Sequence, residues 1–251
     1  MVYAAAHHAN EWITAPLLLR FAEELCEAAA HGGSVRGIRA EEILSNARLC
    51  LVPAVDPDGM DLVTGALTEG ERYAAAKRVA EAFPDIAFPA GWKANIAGTD
   101  LNLQYPAGWE RAREIKYAAG FDRPAPRDYV GTAPLSAPES AALCALTRSL
   151  SPDMAIALHT QGEVIYWRYQ GMEPPQARHY AECFAAASGY ALDDAPEASS
   201  FAGYKDWFIA EFARPGYTVE CGLGENPLPI ADFAEIYRRV RGILVLAAAG
   251  C

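Results

Sequence analysis

The sequence lacks an excess of positive charge. Its 251 residues include 21 lysines and arginines against 32 aspartates and glutamates, which gives a formal net charge of -11. Because nucleic acids and anionic membrane surfaces attract basic proteins, this balance argues against both as partners. No apolar run reaches about 18 residues, so the sequence also predicts no membrane-spanning helix.

Paired cysteine motifs are missing as well. The six cysteines are scattered and form no Cys-x-x-Cys pair, which argues against a zinc ribbon or a redox motif. An even number would allow disulfides in a secreted protein, but the length and the 52% hydrophobic content favour buried free thiols. No basic segment followed by an apolar stretch opens the chain, so we expect a cytoplasmic location. A secreted or cell-wall location stays open if further sequence precedes residue 1.

Short apolar runs alternate with amphipathic segments along the chain. We predict strands over residues 2–6, 48–55, 154–158 and 217–221, and a long first helix over residues 11–30. The run 48–55 is apolar on both faces, as in a central strand, and Asp-Pro-Asp-Gly at 56–59 predicts a turn. The alternation predicts an α/β fold: one domain over residues 1–251, with a mixed, mostly parallel sheet flanked by helices. Because a core strand starts at residue 2, we expect N-terminal strands of the fold to be missing.

His8 and Glu11 follow the first predicted strand and lie three residues apart. If the helix starts near Asn10, both side chains can converge on one point. Apart from thiolates, zinc prefers neutral imidazoles and carboxylates as ligands. His7 is an alternative ligand without this spacing. The motif alone is a weak signal, since the alternative is a polar helix start in which Glu11 is favourably placed in the first turn without any metal.

Two more candidates stand at the ends of later strands. His159 follows the predicted strand 154–158, and Glu220 lies near the end of 217–221. Ligands gather at the carboxyl ends of parallel strands, so these residues and His8 are expected at one edge of the sheet. His8, Glu11 and His159 would hold one zinc ion and leave a position for water, with Glu220 as base toward that water and acid toward the departing amine. The alternatives are that His159 is a hydrogen-bonded core histidine and that Glu220 is a strand-end carboxylate bound to an arginine or a backbone amide.

On these residues the chain resembles the zinc carboxypeptidase family, the carboxypeptidase A-like metallopeptidases, over almost its whole length. The four residues from Asp56 (Asp-Pro-Asp-Gly) and from Thr99 (Thr-Asp-Leu-Asn) match two phrases of the family, and Asp206 with Trp207 falls in the same register. The resemblance implies that His8, Glu11 and His159 bind the zinc ion and that Glu220 is the catalytic acid/base. It also implies the zinc carboxypeptidase fold.

The chain departs from the digestive-type members at the substrate side. In those members an asparagine at the position of Asn102 is followed by an arginine, and the pair binds the terminal carboxylate of the substrate. In this chain Asn102 is followed by Leu103. A leucine cannot replace a bidentate cation, so of these two neighbouring residues only Asn102 is expected to bind substrate. The arginine that polarises the scissile carbonyl has no counterpart, which leaves Lys93 to bind the oxyanion or a substrate carboxylate, or to be a solvated loop lysine. The family's mobile tyrosine is absent near Ser199, and Tyr204 is the candidate substitute.

Segments 100–107 and 222–229 are similar to those of bacterial γ-D-glutamyl-L-diamino acid endopeptidases. The resemblance implies cleavage of peptidoglycan stem peptides between γ-D-glutamate and diaminopimelate, with a muropeptide or other peptide as substrate. Lys205, one residue before Asp206, would then meet a carboxylate of diaminopimelate. A broader-specificity carboxypeptidase, a deacylase and a catalytically inactive muropeptide- or zinc-binding module stay open as alternatives.

Overall fold

Eight strands and nine α-helices form the fold in the computed structural model, which describes residues 1–251. The strands are β1 (Val2–Ala5), β2 (Ser34–Val35), β3 (Ile38–Arg39), β4 (Cys50–Val52), β5 (Ala155–His159), β6 (Val164–Tyr166), β7 (Ala191–Asp193) and β8 (Gly216–Glu220). The helices are α1 (Thr14–Ala30), α2 (Ala40–Asn46), α3 (Pro57–Thr64), α4 (Gly70–Glu81), α5 (Trp109–Ala118), α6 (Pro138–Leu150), α7 (Ala177–Ser188), α8 (Tyr204–Phe212) and α9 (Phe233–Ala249).

Six strands form one sheet in the order β4-β1-β5-β8-β6-β7. The pairs β4–β1, β1–β5, β5–β8 and β6–β7 are parallel, whereas β8 and β6 run antiparallel. The two short strands β2 and β3 form a separate antiparallel pair. The predicted α/β class, with a mixed and mostly parallel sheet between helices, is confirmed.

Alternating side chains of the central strands enter two cores on opposite faces of the sheet. Tyr3 of β1 and Ile156 of β5 join a cluster of 31 buried residues together with apolar residues of α1, α7 and α9. Ala4 and Ala157 point the other way, into a cluster of 14 buried residues with α6 and α8. Because both faces are covered, β1 and β5 are apolar throughout, as buried parallel strands usually are.

The strand predicted at residues 48–55 is shorter than expected and lies at the edge of the sheet. Only Cys50–Val52 form β4, which pairs with β1 alone and is half-buried. Pro53 follows directly, and proline cannot donate a hydrogen bond to a neighbouring strand, so pairing stops there. The prediction of a central strand was therefore wrong.

The segment predicted as a turn at residues 56–59 begins helix α3 instead. The Asp56 side chain accepts a hydrogen bond from the backbone N–H of Gly59 at 3.0 Å, and Pro57 occupies the first helical position. Aspartate before the first turn and proline at its first position both favour helix starts. The same residue types serve turns and helix starts, which is why the sequence alone suggested a turn.

Two further expectations concern the whole chain. No helix combines the length and the apolar character needed to cross a bilayer. All six cysteines are unpaired, in line with the predicted free thiols, but only Cys144 and Cys221 are buried, and Cys26 and Cys251 are exposed.

Candidate active site

The predicted site residues meet at the carboxyl ends of three neighbouring parallel strands. His7 and His8 follow β1, while His159 and Glu220 are the last residues of β5 and β8. In the register of the sheet, His159 lies directly opposite Glu220. The sheet therefore brings together residues that are more than two hundred positions apart in the sequence.

A 3₁₀ turn (Ala9–Glu11) directly follows His8 and ends at Glu11, and the regular helix starts only at Thr14. Pro16 has no backbone N–H and its ring would clash with the carbonyl four residues earlier, so the α-helix cannot extend back over the turn. The Thr14 hydroxyl donates to the carbonyl of Glu11 at 2.8 Å and accepts from the N–H of Ala6 at 2.9 Å. The predicted helix therefore excludes Glu11, although the convergence of its side chain with His8 is present.

Three buried side chains form a compact donor cluster. The Nδ1 atom of His8 lies 2.8 Å from Oε1 of Glu11, and Nδ1 of His159 lies 2.9 Å from Oε2 of the same carboxylate. The two Nδ1 atoms are 3.3 Å apart, and one ligand atom of each residue lies within 4.8 Å of the others. Two imidazole nitrogens and one carboxylate oxygen are a donor set that zinc accepts.

His7 lies outside this cluster. Its Nε2 is 3.2 Å from the Tyr105 hydroxyl, and its ring stacks on His159 with centroids 5.3 Å apart. Burial, with the neighbouring histidines His159 and His8, holds the pKa of His7 well below its ordinary value. His7 is therefore a neutral, packed residue, and the choice of His8 by its spacing agrees with the geometry.

Asp100 orients His8 from behind. Its Oδ1 accepts from Nε2 of His8 at 3.1 Å, and its two oxygens also accept from the backbone N–H groups of Asn102 and Asp128. A carboxylate on the far nitrogen of an imidazole fixes the ring and strengthens its other nitrogen as a metal ligand. The sequence marked Asp100 only as part of a matching phrase and gave it no role.

Charge within the cluster is tightly compensated. Burial favours the neutral imidazole of His8, but the Glu11 carboxylate, followed by Asp100, raises its pKa to about 9. Burial also acts to raise the pKa of Glu11, yet His8, Lys93 and His159 hold it well below its ordinary range. Both nitrogens of His8 face carboxylates, so without a metal the ring is an imidazolium that donates to each of them. A metal ion at Nδ1 would replace one of these protons.

Glu220 faces a cavity beside the cluster. This cavity has a volume of about 600 Å³, and Lys93 and Thr160 line it together with Glu220. Burial and then the nearby Glu11 carboxylate raise the pKa of Glu220 to about 8. A carboxyl group with a pKa close to neutrality, at the mouth of a donor cluster, has the properties of a general acid/base.

The residues of the cluster fit a zinc ion. His8, Glu11 and His159 would hold it, Asp100 supports one ligand, and the backbone N–H of Thr160 donates to Oε2 of Glu11 at 3.2 Å. Three protein ligands next to an open cavity are typical of catalytic zinc sites, whereas structural sites close with a fourth ligand.

Two of the predicted substrate-binding residues border the site. Lys93 reaches Oε1 of Glu11 with its Nζ at 3.0 Å and lines the cavity with Glu220. Asn102 lines a smaller neighbouring cavity of about 90 Å³, and its Oδ1 accepts from the backbone N–H of Tyr204. Both can approach a ligand in the cleft.

The other two lie elsewhere. Tyr204 is fully buried, and its hydroxyl is 2.8 Å from that of Thr147 on α6, so this side chain packs in the core rather than facing the cleft. Lys205 is also buried; its Nζ donates to Oδ1 of Asp206 at 2.5 Å and to the carbonyl of Arg168 at 2.8 Å. Neither residue is brought to the zinc cluster, and contact of either with substrate stays a prediction that this geometry does not support.

Arg127 is a cleft residue that sequence reasoning missed. It lines the cavity of Glu220 and the smaller cavity of Asn102. Lys93 precedes Asn102 by nine residues, whereas Arg127 comes from a later loop. Only pairing of its segment with residues 93–100 brings it there, and no sequence pattern signals that pairing.

Comparison with known proteins agrees with this geometry. The family model described as zinc carboxypeptidase matches residues 1–233. The chain is 43% identical over 243 residues to γ-D-glutamyl-L-diamino acid endopeptidase 1 of Lysinibacillus sphaericus, covering 97% of this chain and 59% of that protein. It is 41% identical over 241 residues to the uncharacterized protein YqgT of Bacillus subtilis, covering 96% of this chain and 62% of that protein. The chain thus spans about three fifths of these relatives.

Solved structures share the fold at low identity. Bovine thrombin-activatable fibrinolysis inhibitor matches with a TM-score of 0.71 and 16% identity, covering 99% of this chain and 81% of that one. Carboxypeptidase A of Helicoverpa armigera matches with a TM-score of 0.69 and 19% identity, covering 99% and 60%. Murein-tripeptide amidase MpaA of Escherichia coli O157 gives 0.58 and 19%, covering 97% and 80%. With most of its length matched by the family model, the chain belongs to the zinc carboxypeptidase family.

Proposed function

We propose that the chain is a zinc-dependent peptidase that hydrolyses the bond between γ-D-glutamate and diaminopimelate in peptidoglycan stem peptides. One observation carries the hydrolytic part: Glu220, with a raised pKa, lines an open cavity directly beside the cluster of His8, Glu11 and His159. The choice of bond rests on the 43% identity to a protein named for that activity.

Zinc in this cluster supplies Lewis-acid chemistry, which polarises a carbonyl and makes water more acidic. Glu220 takes the proton from the attacking water and delivers it to the nitrogen of the departing amine. Burial raises the pKa of Glu220 to about 8, so the carboxyl gives up and regains a proton near neutral pH. The same residue can therefore serve as base in the first step and as acid in the second.

Lys93 is placed to stabilise negative charge that develops on the carbonyl oxygen. Its Nζ lies 3.0 Å from Glu11, at the border between the cluster and the cavity, and its side chain is 19% exposed. Burial on its own would lower the pKa of Lys93, but Glu11, followed by Asp100, raises it, so the ammonium stays charged. A fixed and mostly buried cation stabilises such charge more than one in water does.

The test is digestion of purified muropeptides followed by mass spectrometry, with zinc content measured on the same sample. We expect products cut at the γ-D-glutamyl bond, loss of activity on chelation and recovery when zinc is returned. Glu220→Gln is the matched variant, because it keeps the shape of the side chain and should retain zinc while losing turnover. Activity that survives complete removal of zinc would refute the mechanism.

A peptidase of broader specificity is the main competing function. Leu103 beside Asn102 leaves that position without a cation for a terminal carboxylate, which favours an endopeptidase over a carboxypeptidase. Comparing hydrolysis of an ordinary dipeptide that has a free carboxylate with hydrolysis of a γ-D-glutamyl tripeptide separates the two. Binding of the tripeptide without turnover in the presence of zinc would indicate a binding module instead.

A further inference from the structure

Arg127 combines a position in the cleft with uncommitted hydrogen-bond donors. Together with Lys93 and Ser199 it lines both the cavity of Glu220 and the smaller cavity of Asn102. Its Nε donates to Oδ2 of Asp128 at 2.6 Å, and its two terminal nitrogens make no hydrogen bond within the protein. The end of the guanidinium therefore faces the cleft with its donors free.

The backbone holds Arg127 in place. The carbonyl of Pro126 accepts from the N–H groups of Lys93 and Ala94 at 2.7 and 2.9 Å, and the N–H of Asp128 donates to Oδ2 of Asp100 at 3.1 Å. The residues on both sides of Arg127 are thus tied to the segment that supports the zinc ligand His8. Little ordering of the chain is needed when a ligand meets this guanidinium, which favours binding.

The cations beside one other cavity are neutralised. Arg168 and Lys205 line a separate cavity of about 400 Å³. The guanidinium of Arg168 is paired with Asp194 and Glu173, and the ammonium of Lys205 with Asp206. That cavity offers no free cation, whereas Arg127 shares its only carboxylate with another cation, since Asp128 also binds Lys116 at 2.5 Å.

The cations of the cleft are gathered beside the donor cluster, in a chain whose net charge is -11. Three carboxylates lie among three cations there: Glu11, Asp100 and Asp128 with Lys93, Lys116 and Arg127. A divalent ion at the cluster gives this group of side chains an excess of positive charge, whereas Glu220, Asp85 and Glu225 supply negative charge to the cavity wall. The excess beside Arg127 favours an anion at that position.

We propose that Arg127 binds a carboxylate of the substrate next to the scissile bond through its two terminal nitrogens. This proposal rests on the proposed function, because the γ-D-glutamyl and diaminopimelate residues carry free carboxylates beside that bond. The planar fork of a guanidinium matches a carboxylate with two parallel hydrogen bonds. Arg127 is thus a specificity-determining residue, distinct from the acid/base Glu220.

The experiment uses the L-Ala-γ-D-Glu-diaminopimelate tripeptide and versions in which one carboxyl group at a time is amidated. For the wild-type chain with zinc, we expect amidation of one particular carboxyl to lower kcat/KM by about 10- to 100-fold. Arg127→Gln should show the same loss on the free tripeptide and no further loss on that amidated form. Arg127→Lys should recover part of the preference, because it restores the charge without the fork.

Arg123→Gln is the matched control. Arg123 lies in the same loop, pairs with Asp122 at the surface and lines neither cavity, so its replacement should leave rate and preference unchanged. If Arg127→Gln still prefers the free carboxyl form by the wild-type factor, the proposal is wrong. Equal losses on every form would also overturn it, since the residue would then act on the reaction or on folding.

A binding measurement separates this proposal from the proposed function. In the Glu220→Gln background, calorimetry with the free and amidated tripeptides reports the preference without turnover, and Arg127→Gln should abolish it. If the wild-type chain fails to cut the tripeptide while the binding preference depends on Arg127, the proposed reaction fails and the carboxylate site stands. If the tripeptide is cut but the binding preference does not depend on Arg127, the proposed reaction stands and the carboxylate site at Arg127 fails.

Discussion

Replacing Asp100 with asparagine tests whether the carboxylate behind His8 tunes the zinc site. The substitution keeps the shape of the side chain but removes the charge that accepts from Nε2 of His8 at 3.1 Å. It also turns one acceptor into a donor, and two backbone N–H groups, of Asn102 and Asp128, point at the carboxylate. We expect weaker zinc binding and a less stable loop.

The size of the effect follows from two opposing contributions. Loss of a carboxylate that supports a histidine ligand costs about 10- to 100-fold in metal affinity, which corresponds to about 1.4 to 2.7 kcal/mol. Asp100 is also one of the groups that raise the pKa of His8 to about 9, so its removal makes the proton on His8 easier to displace. At pH 7 this second effect offsets part of the first.

The loss should therefore grow with pH. Near pH 9 the wild-type His8 is half deprotonated, proton competition almost disappears, and the full loss becomes visible. Zinc affinity is measured by competition with a chelator of known affinity between pH 7 and 9, with circular dichroism confirming a folded chain. Asp128→Asn is the control, because it removes the same charge nearby without touching His8. A loss that shrinks toward pH 9, or an equal loss in the control, would refute the reasoning.

Three further substitutions follow from the structure. In the folded metal-free chain the pKa of Glu220 is raised to about 8, above its ordinary value of 4.5. The stability that the bound proton contributes is therefore complete below pH 4.5 and is lost as the pH rises to 8. Glu220→Gln should flatten that part of a profile of melting temperature against pH. Tyr204→Phe should lower the free energy of unfolding by about 1 kcal/mol and leave kcat within twofold, since the hydroxyl contacts only Thr147; a large fall in kcat would place it at the substrate. Lys205→Ala leaves buried Asp206 unpaired and should cost about 3 to 5 kcal/mol in a denaturant titration, with unchanged preference among amidated tripeptides; an altered preference would contradict its structural role.

The sequence predicted the parts of the fold that depend on local pattern. The buried strands β1, β5 and β8 were placed within a residue or two because continuous apolar runs mark covered parallel strands. The rule that ligands collect at the carboxyl ends of parallel strands then predicted His8, His159 and Glu220 at one edge of the sheet. The order of the strands, which sets His159 directly opposite Glu220, came only from the structure.

Long-range pairing was beyond the reach of the sequence. Asp100 and Arg127 enter the site because the loop around Pro126 bonds to residues 93 and 94, and backbone hydrogen bonds leave no trace in residue type. Tyr204 and Lys205 fell next to positions of interest in the sequence, but a helix turns successive side chains to different faces. At the start of α8, Tyr204 points into the core and Lys205 is buried against Arg168.

The donors of the cluster come from distant parts of the chain, His8 after the first strand of the sheet and His159 at the end of β5, 151 residues later. Bringing such distant segments together carries a large entropic cost that is met only as β1 and β5 pair. An unfolded or half-assembled chain therefore offers the ion no more than the short His8–Glu11 motif. Loading with zinc should be among the last events of folding, and the bound ion should in turn slow unfolding by holding the two strands together.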